Sequence, residues 1–197
     1  MDRRLEIENM MNEMNEMHIM VMKSRVNQDD WSLSSHKPEK SEVFAAAWLA
    51  WKGHLTSLEY LNIRDISIKD VPRDQIEKLA SIVTGRVWIN NMIHTDQLGS
   101  ILASINCPEL WLENMDLSEA ETWALVTAMS DRVKSVHLQD VTLDSEELTQ
   151  YNGQGRCREL QVRGDTRTRY GEKLKRWAAD KGWTVTLERG LEIVMNR

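Results

Sequence analysis

The amino-acid sequence predicts an α/β solenoid, in which parallel strands and helices alternate and stack along the chain. A pair of apolar residues separated by one position recurs six times, and the first members of successive pairs are 26, 23, 26, 24 and 25 residues apart. Between the pairs, the apolar spacing changes from two residues to about 3.6, which is typical of a helix. One strand and one helix of this size cannot bury a core alone, so neighbouring repeats must share one.

The six pairs predict about six parallel strands, because alternation of apolar and polar residues is the period of a strand with one buried face. The pairs are Leu61/Ile63, Val87/Ile89, Leu110/Leu112, Val136/Leu138, Leu160/Val162 and Val185/Leu187. Three residues after each of the first four pairs, a further apolar register holds Ile66, Met92, Met115 and Val141.

The segments between the strands carry helix signals. Ser118 and Glu121 have the spacing of a capping box, and Ala124, Leu125 and Ala128 can form the buried face of the helix that follows. The same capping-box spacing returns at Asp144 and Glu147. Two more helices are predicted from Ile76, Leu79, Ile82 and Val83, and from Leu98, Ile101, Leu102 and Ile105.

Four of the strand segments resemble the L-x-x-L-x-L start of a leucine-rich repeat: L-E-Y-L-N-I, C-P-E-L-W-L, V-K-S-V-H-L and C-R-E-L-Q-V. The helical halves are most similar to the ribonuclease-inhibitor-like subclass, which also forms the repeat tails of NOD-like receptors. The resemblance covers residues 55–187. It implies a short horseshoe with strands on the concave face, helices on the convex face, and a role in protein–protein interaction, including sensing or innate immunity.

The chain departs from this family at one register. The family usually places Asn or Cys where this sequence has Ile66, Met92, Met115 and Val141, whereas Asp65, Asn91, Asn114 and Asp140 stand one residue earlier. Either these polar side chains bond nearby backbone at the end of each strand, or they are simply exposed.

Caps are expected at both ends of the solenoid, since open ends would expose the shared core. Residues 41–54 predict an N-terminal cap helix that ends near Gly53, with one apolar face formed by Phe44, Ala47, Trp48 and Trp51. After the last repeat, residues 188–197 predict a return strand in a hairpin that closes the sheet edge. A helix before that hairpin would turn inward Tyr170, Leu174, Trp177 and Ala178.

The N-terminal segment is different in kind. Residues 1–28 predict a Met-rich amphipathic helix whose apolar seam is Ile7, Met10, Met14, Met17 and Val21. This helix either packs on its own domain or on a sister chain, or offers a flexible Met-rich face to a partner helix. Residues 29–40 are polar and predict a linker.

Composition narrows the functional classes. The 197 residues carry a net charge of −6 with both signs interspersed, which argues against a dedicated nucleic-acid surface. No apolar run approaches the roughly 20 residues of a membrane helix, and the N-terminus lacks the apolar core of a signal peptide. The expected location is the cytoplasm.

No catalytic or metal-binding pattern is present in the sequence. The five histidines share no ligand spacing, and Cys107 and Cys157 hold the same buried register two repeats apart, too far for a disulfide. Phosphate-cradling glycine motifs and nucleophile elbows are absent. Neither enzymatic activity nor a metal or cofactor is therefore expected.

A partner-binding surface is expected on the strand positions that point away from the core. Trp88 and Trp111 should stand side by side on adjacent strands, and exposed tryptophans are frequent interface anchors. The proposed centre is Trp88, Trp111 and His137, and the proposed rim is Arg64, Asn90, Glu113, Gln139 and Arg163. Alternatively, the tryptophans pack against each other or against the N-terminal segment and bind nothing.

The sequence thus predicts a non-enzymatic intracellular module that binds a protein partner through its concave sheet face. The alternative is a structural or adaptor subunit, tethered through its N-terminal helix into a larger assembly or a homo-oligomer.

Overall fold

The computed structural model describes residues 32–33, 40–64, 68, 70–92, 96–142, 148, 151, 154–163, 176–188 and 192–196. The chain divides into two units, Met1–Trp31 and Ser32–Arg197. Several predicted features lie outside the described residues: the N-terminal helix with its seam, the capping box at Asp144 and Glu147, and the positions of Asp65, Ile66, Tyr170 and Leu174.

Strands and helices alternate along the second unit. The strands are β1 (Ser32–Leu33), β2 (Leu58–Arg64), β3 (Val83–Asn90), β4 (Glu109–Asp116), β5 (Ser135–Thr142), β6 (Glu159–Arg163), β7 (Thr184–Glu188) and β8 (Glu192–Asn196). The helices are α1 (Lys40–Trp51), α2 (Arg73–Ser81), α3 (Asp96–Ser104) and α4 (Glu119–Asp131), and residues 176–180 are also helical. The predicted α/β class and its repeated order are confirmed.

The sheet is built from five parallel repeat strands, β2 to β6, laid side by side in sequence order. The predicted apolar pairs fall in register: Val87 pairs with Leu110, Leu110 with Val136, and Val136 with Leu160. These side chains are fully buried, and so is Leu112 in the next inward position of β4. The two-residue β1, which lies within the segment predicted as a linker, adds in parallel to the edge of β2.

Three polar residues near the strand ends have a left-handed backbone. Asn91, Asn114 and Asp140 have φ angles of 53°, 53° and 51°. Each is exposed and inserts one residue into the alternation, so that Met115, rather than Asn114, is buried after Leu112. Asn and Asp tolerate this conformation better than other residues with a side chain. Backbone conformation therefore explains why an Asx residue precedes the second apolar register.

The helices pack in one layer, α1 on α2, α2 on α3 and α3 on α4. The capping box of α4 is confirmed, because the Ser118 side chain accepts from the Glu121 N–H and the Glu121 carboxylate accepts from the Ser118 N–H. Two of its three predicted inward residues, Leu125 and Ala128, are buried, while Ala124 is half-buried. Among the described residues, no helix combines the length and apolar character needed to cross a bilayer.

The buried side of the N-terminal cap helix α1 overlaps the predicted face only at Ala47. Its most deeply buried residues are Val43, Ala46, Ala47, Leu49 and Ala50. The aromatic residues of the predicted face, Phe44, Trp48 and Trp51, are only half-buried. The fully buried positions of this helix are thus alanines and valine, whereas the aromatic rings keep part of their exposure. The chain leaves the helix through Gly53, whose φ is 76°.

The C-terminal part corrects the prediction of six parallel strands. The segment around Val185 and Leu187 does form a strand, β7, but it is not hydrogen-bonded to β6. The return strand β8 lies between them and is antiparallel to both, with Met195 opposite Leu160 on one side and Val185 on the other. Because β8 occupies the hydrogen-bonding edge of β6, the series of parallel repeat strands ends at the fifth, β6. The predicted hairpin is confirmed.

Three aromatic rings near the C-terminal end of the repeats pack together in the core. Tyr151, Trp177 and Trp183 are buried, and their ring centroids lie 6.0 to 6.3 Å apart. Burial of Trp177 and Ala178 is as predicted. Cys107 and Cys157 are buried free thiols, and burial raises their pKa to about 11 and about 12, respectively. They are therefore protonated, apolar core residues at neutral pH.

Candidate functional site

One row of side chains crosses the sheet on the face opposite the helices. We call this row the ladder. Backbone pairing sets its members in register, one from each of the five parallel repeat strands: Asn62, Trp88, Trp111, His137 and Gln161. Each lies between the two buried residues of its repeat, so alternation directs it to the other face of the sheet. We call that side the ladder face.

The aromatic members of the ladder contact one another. The ring centroids of Trp88 and Trp111 are 6.0 Å apart with planes at 58°, and those of Trp111 and His137 are 4.6 Å apart with planes at 31°. All three side chains are half-buried. Both centroid distances fall in the range of favourable aromatic packing. The rings therefore form a continuous aromatic strip across three strands.

The Glu109 carboxylate holds this strip from one side. Its Oε1 accepts from the Trp111 indole N–H at 2.7 Å, and its Oε2 accepts from Arg86 at 2.9 Å. The Arg86 guanidinium lies over the Trp111 ring, 4.6 Å from its centroid, and near the Tyr60 ring at 5.8 Å. A planar guanidinium stacks well on an aromatic face. Charge pairing and stacking together restrict the rotamer of Trp111.

A second carboxylate, Glu159, orients the other end of the ladder. It accepts from the Gln161 amide at 2.6 Å and from the Ser135 hydroxyl at 3.2 Å. The Gln161 amide oxygen faces His137 Nδ1 at 2.9 Å, and the Ser135 hydroxyl lies 3.0 Å from His137 Nε2. Both ring nitrogens of His137 thus have polar partners, which fix the ring against Trp111.

A further row runs beside the ladder, two residues along each strand. It contains Arg64, Asn90, Glu113, Gln139 and Arg163 in register. Asn90 donates to the Glu113 carboxylate at 3.2 Å. Partial burial withholds the Glu113 carboxylate from water and thereby raises its pKa. Charges of both signs therefore border the aromatic strip on this side.

The surface between these rows is shallow. A depression of about 10 Å³ is lined by Trp111, Glu113, His137, Leu138, Gln139, Gln161 and Arg163. That volume holds roughly one water molecule, whereas pockets for small organic ligands enclose about 300–1,000 Å³. The ladder face at this point suits contact with another surface better than enclosure of a small molecule.

All eight residues predicted for the partner surface lie on this face in adjacent rows. The contacts between Trp88 and Trp111 agree with one of the alternatives, in which the rings pack on each other, but packed rings can also bind, so partner binding stays a prediction. The predicted oligomerisation seam lies outside the described residues.

A third row of side chains, which was not predicted from the sequence, holds the ladder in place. Its members are Tyr60, Arg86, Glu109, Ser135 and Glu159, each two residues before a ladder residue. Extending the two-residue alternation backwards from each apolar pair would have found them. Their contacts with each other and with the ladder depend on pairing between strands, which no single repeat specifies.

Within the described ranges, no three His, Cys, Asp or Glu side chains gather where they could hold a metal ion. No protein-family model matches this chain, and comparison with curated proteins and with solved structures likewise gives no match.

Proposed function

We propose that this chain is a leucine-rich-repeat module without enzymatic activity, and that its ladder face binds another protein in the cytoplasm. The observation that carries the proposal is the half-buried strip of Trp88, Trp111 and His137, bordered by charged side chains on both sides. Aromatic centres with polar margins are the usual make-up of a protein–protein contact.

Pre-organisation supports the proposal. Trp111 is held by Glu109 and Arg86, and His137 by Ser135 and Gln161, before any partner arrives. Binding to side chains that are already fixed loses less conformational entropy than binding to mobile ones. The shallow form of the surface favours a macromolecular partner over a small one. A sensing role, implied by the family resemblance, would rest on which protein is captured.

The test compares partner capture by the full chain with capture by two variants. One variant lacks the tryptophans of the ladder face, and the other lacks a tryptophan on the helix layer. The double variant Trp88→Ala/Trp111→Ala empties the centre of the ladder. The control Trp123→Ala removes a tryptophan of α4 that is 42% exposed and lies on the helix layer. Proteins retained by immobilised chain from a cell extract are quantified by mass spectrometry, and thermal unfolding confirms that each variant is folded.

Proteins that bind the ladder face should be retained by the native chain and by the Trp123 variant but lost from the double variant. For any such protein, the dissociation constant should rise at least about 30-fold, since an interface hot spot contributes about 2 kcal/mol or more. Equal retention by all three chains would overturn the proposal. Light scattering on the same samples separates partner binding from self-association of the chain.

A further inference from the structure

We propose that His137 is a proton-controlled element of the ladder: protonation turns its Nε2 from a hydrogen-bond acceptor into a donor, rearranges the hydrogen bonds at Ser135 and Glu109, and weakens partner binding. The inference rests on the proposed function for its effect on binding. Its structural part concerns this chain alone and is tested without a partner.

The Gln161 side chain defines which nitrogen of His137 carries the proton. Its amide NH₂ donates to Glu159 at 2.6 Å, so its amide oxygen is the atom that faces Nδ1 at 2.9 Å. Arg163 also donates to this oxygen, at 3.4 Å. An amide oxygen can only accept a hydrogen bond. Nδ1 is therefore protonated in both charge states, and proton uptake occurs at Nε2.

The surroundings of Nε2 differ between the two states. Nε2 lies 3.0 Å from the Ser135 hydroxyl and 3.5 Å from Glu109 Oε1. Ser135 has one proton, and the Glu159 carboxylate, at 3.2 Å, also accepts it. When His137 is neutral, Nε2 and Glu159 compete for that proton. When His137 is protonated, Nε2 donates to the Ser135 oxygen and the Ser135 hydroxyl donates to Glu159. The competition for the Ser135 proton is then removed.

Several charged groups face the imidazole from the strands packed against it. They are Glu109 and Glu113 on β4, Glu159 and Arg163 on β6, and Arg86 of β3, which is bound to Glu109. The His137 side chain itself is only 16% exposed. Burial lowers the pKa of His137 below its ordinary value of 6.5, Gln161, Glu109 and Glu159 oppose that change, and Arg163 adds to it. The ring is therefore mostly neutral at pH 7 and takes up a proton only below pH 6.5.

Protonation reaches the aromatic strip through Glu109. Its Oε1 accepts the Trp111 N–H at 2.7 Å and lies 3.5 Å from Nε2, so the positive charge of a protonated ring attracts the same oxygen that holds Trp111. The imidazolium also lies against the Trp111 ring, at a centroid distance of 4.6 Å. A partner covering this centre removes the remaining water from the ring, and loss of water disfavours the charged form. By linkage, binding should weaken tenfold for each unit by which the partner lowers the pKa of His137.

The structural part is tested by NMR of the full chain between pH 4.5 and 8, with ¹⁵N-labelled histidine and the His137→Gln variant for assignment. We expect the Nδ1–H tautomer at pH 8, a midpoint below 6.5, and a shift of the Trp111 indole resonance with that same midpoint. Glu109→Gln should lower the midpoint further, because it removes a nearby negative charge. An Nε2–H tautomer at pH 8, a midpoint at 6.5 or above, or a Trp111 resonance that does not respond would each overturn the inference.

The binding part uses any protein that the Trp88→Ala/Trp111→Ala variant fails to retain. Its dissociation constant is measured at pH 7.5 and 5.5 with the native chain and with His137→Gln, whose side chain is polar but does not titrate. The native chain should bind more weakly at pH 5.5, and the variant should show a smaller change. Equal pH dependence in both chains, or tighter native binding at pH 5.5, would overturn control of binding while leaving the proposed function intact. If no partner is found, the proposed function fails, but the NMR result still decides the proton chemistry.

Discussion

Replacement of Asn114 tests how one repeat turns from its first apolar register to its second. Asn114 has φ 53° and an exposed side chain, so a substitution changes backbone preference without changing core packing. The left-handed conformation costs an L-residue about 1–2 kcal/mol, and a β-branched residue is especially disfavoured there. Asn114→Val should therefore reduce the free energy of unfolding by about 1–2 kcal/mol relative to Asn114→Gly, which adopts this conformation freely.

The Gly variant is the matched control for the side chain, because both changes remove the hydrogen bond from Asn114 to Asn90 at 3.3 Å. For a chain of this length, the expected difference corresponds to about 2–8 °C in Tm, measured by circular dichroism and by urea unfolding. A second control is Asp116→Val, at an exposed strand position of the same β4 that does not have a positive φ. Equal stability of the Val and Gly variants at 114, or an equal loss at 116, would refute the role assigned to the left-handed residue.

Three further outcomes are expected. Gly155→Ala should destabilise by about 1–3 kcal/mol in urea unfolding, because the added Cβ would lie 2.5 Å from the Ser130 Cα; an unchanged midpoint would contradict that contact. Ser118→Ala should lose about 1 kcal/mol of helix capping, whereas Ser118→Asp should keep most of it; equal losses would show that the bond to the Glu121 N–H contributes nothing. Burial lowers the folded-state pKa of His137 below 6.5, so the unfolded chain takes up the proton at a higher pH than the folded chain. The free energy of unfolding should therefore fall as the pH drops from 6.5 to the folded-state pKa, by at most about 1.4 kcal/mol per pH unit. His137→Gln should flatten that part of the curve, and an identical pH profile in both chains would exclude this contribution.

The repeat architecture and the composition of the ladder face could be predicted from the sequence because both follow from local periodicity. Alternation within Leu110–Leu112 assigns Trp111 to the face opposite the core, whatever the neighbouring strands do. The near-constant spacing between repeats then places Trp88 and His137 on either side of it, as the strand pairing confirms. The cap at Ser118 and Glu121 was equally predictable, since its bonds join residues three positions apart.

Features that depend on contacts between distant segments were decided only by the tertiary structure. Alternation at Val185 and Leu187 identifies a strand but does not determine which strand it pairs with. In the sheet, β8 lies next to β6, although β7 comes before β8 in the sequence. The contacts of Glu109 with Arg86 and His137 likewise join three strands. A hydrophobic pattern specifies which face of an element is buried, whereas strand order and side-chain partners depend on which edges and charges the folded chain brings within hydrogen-bonding distance.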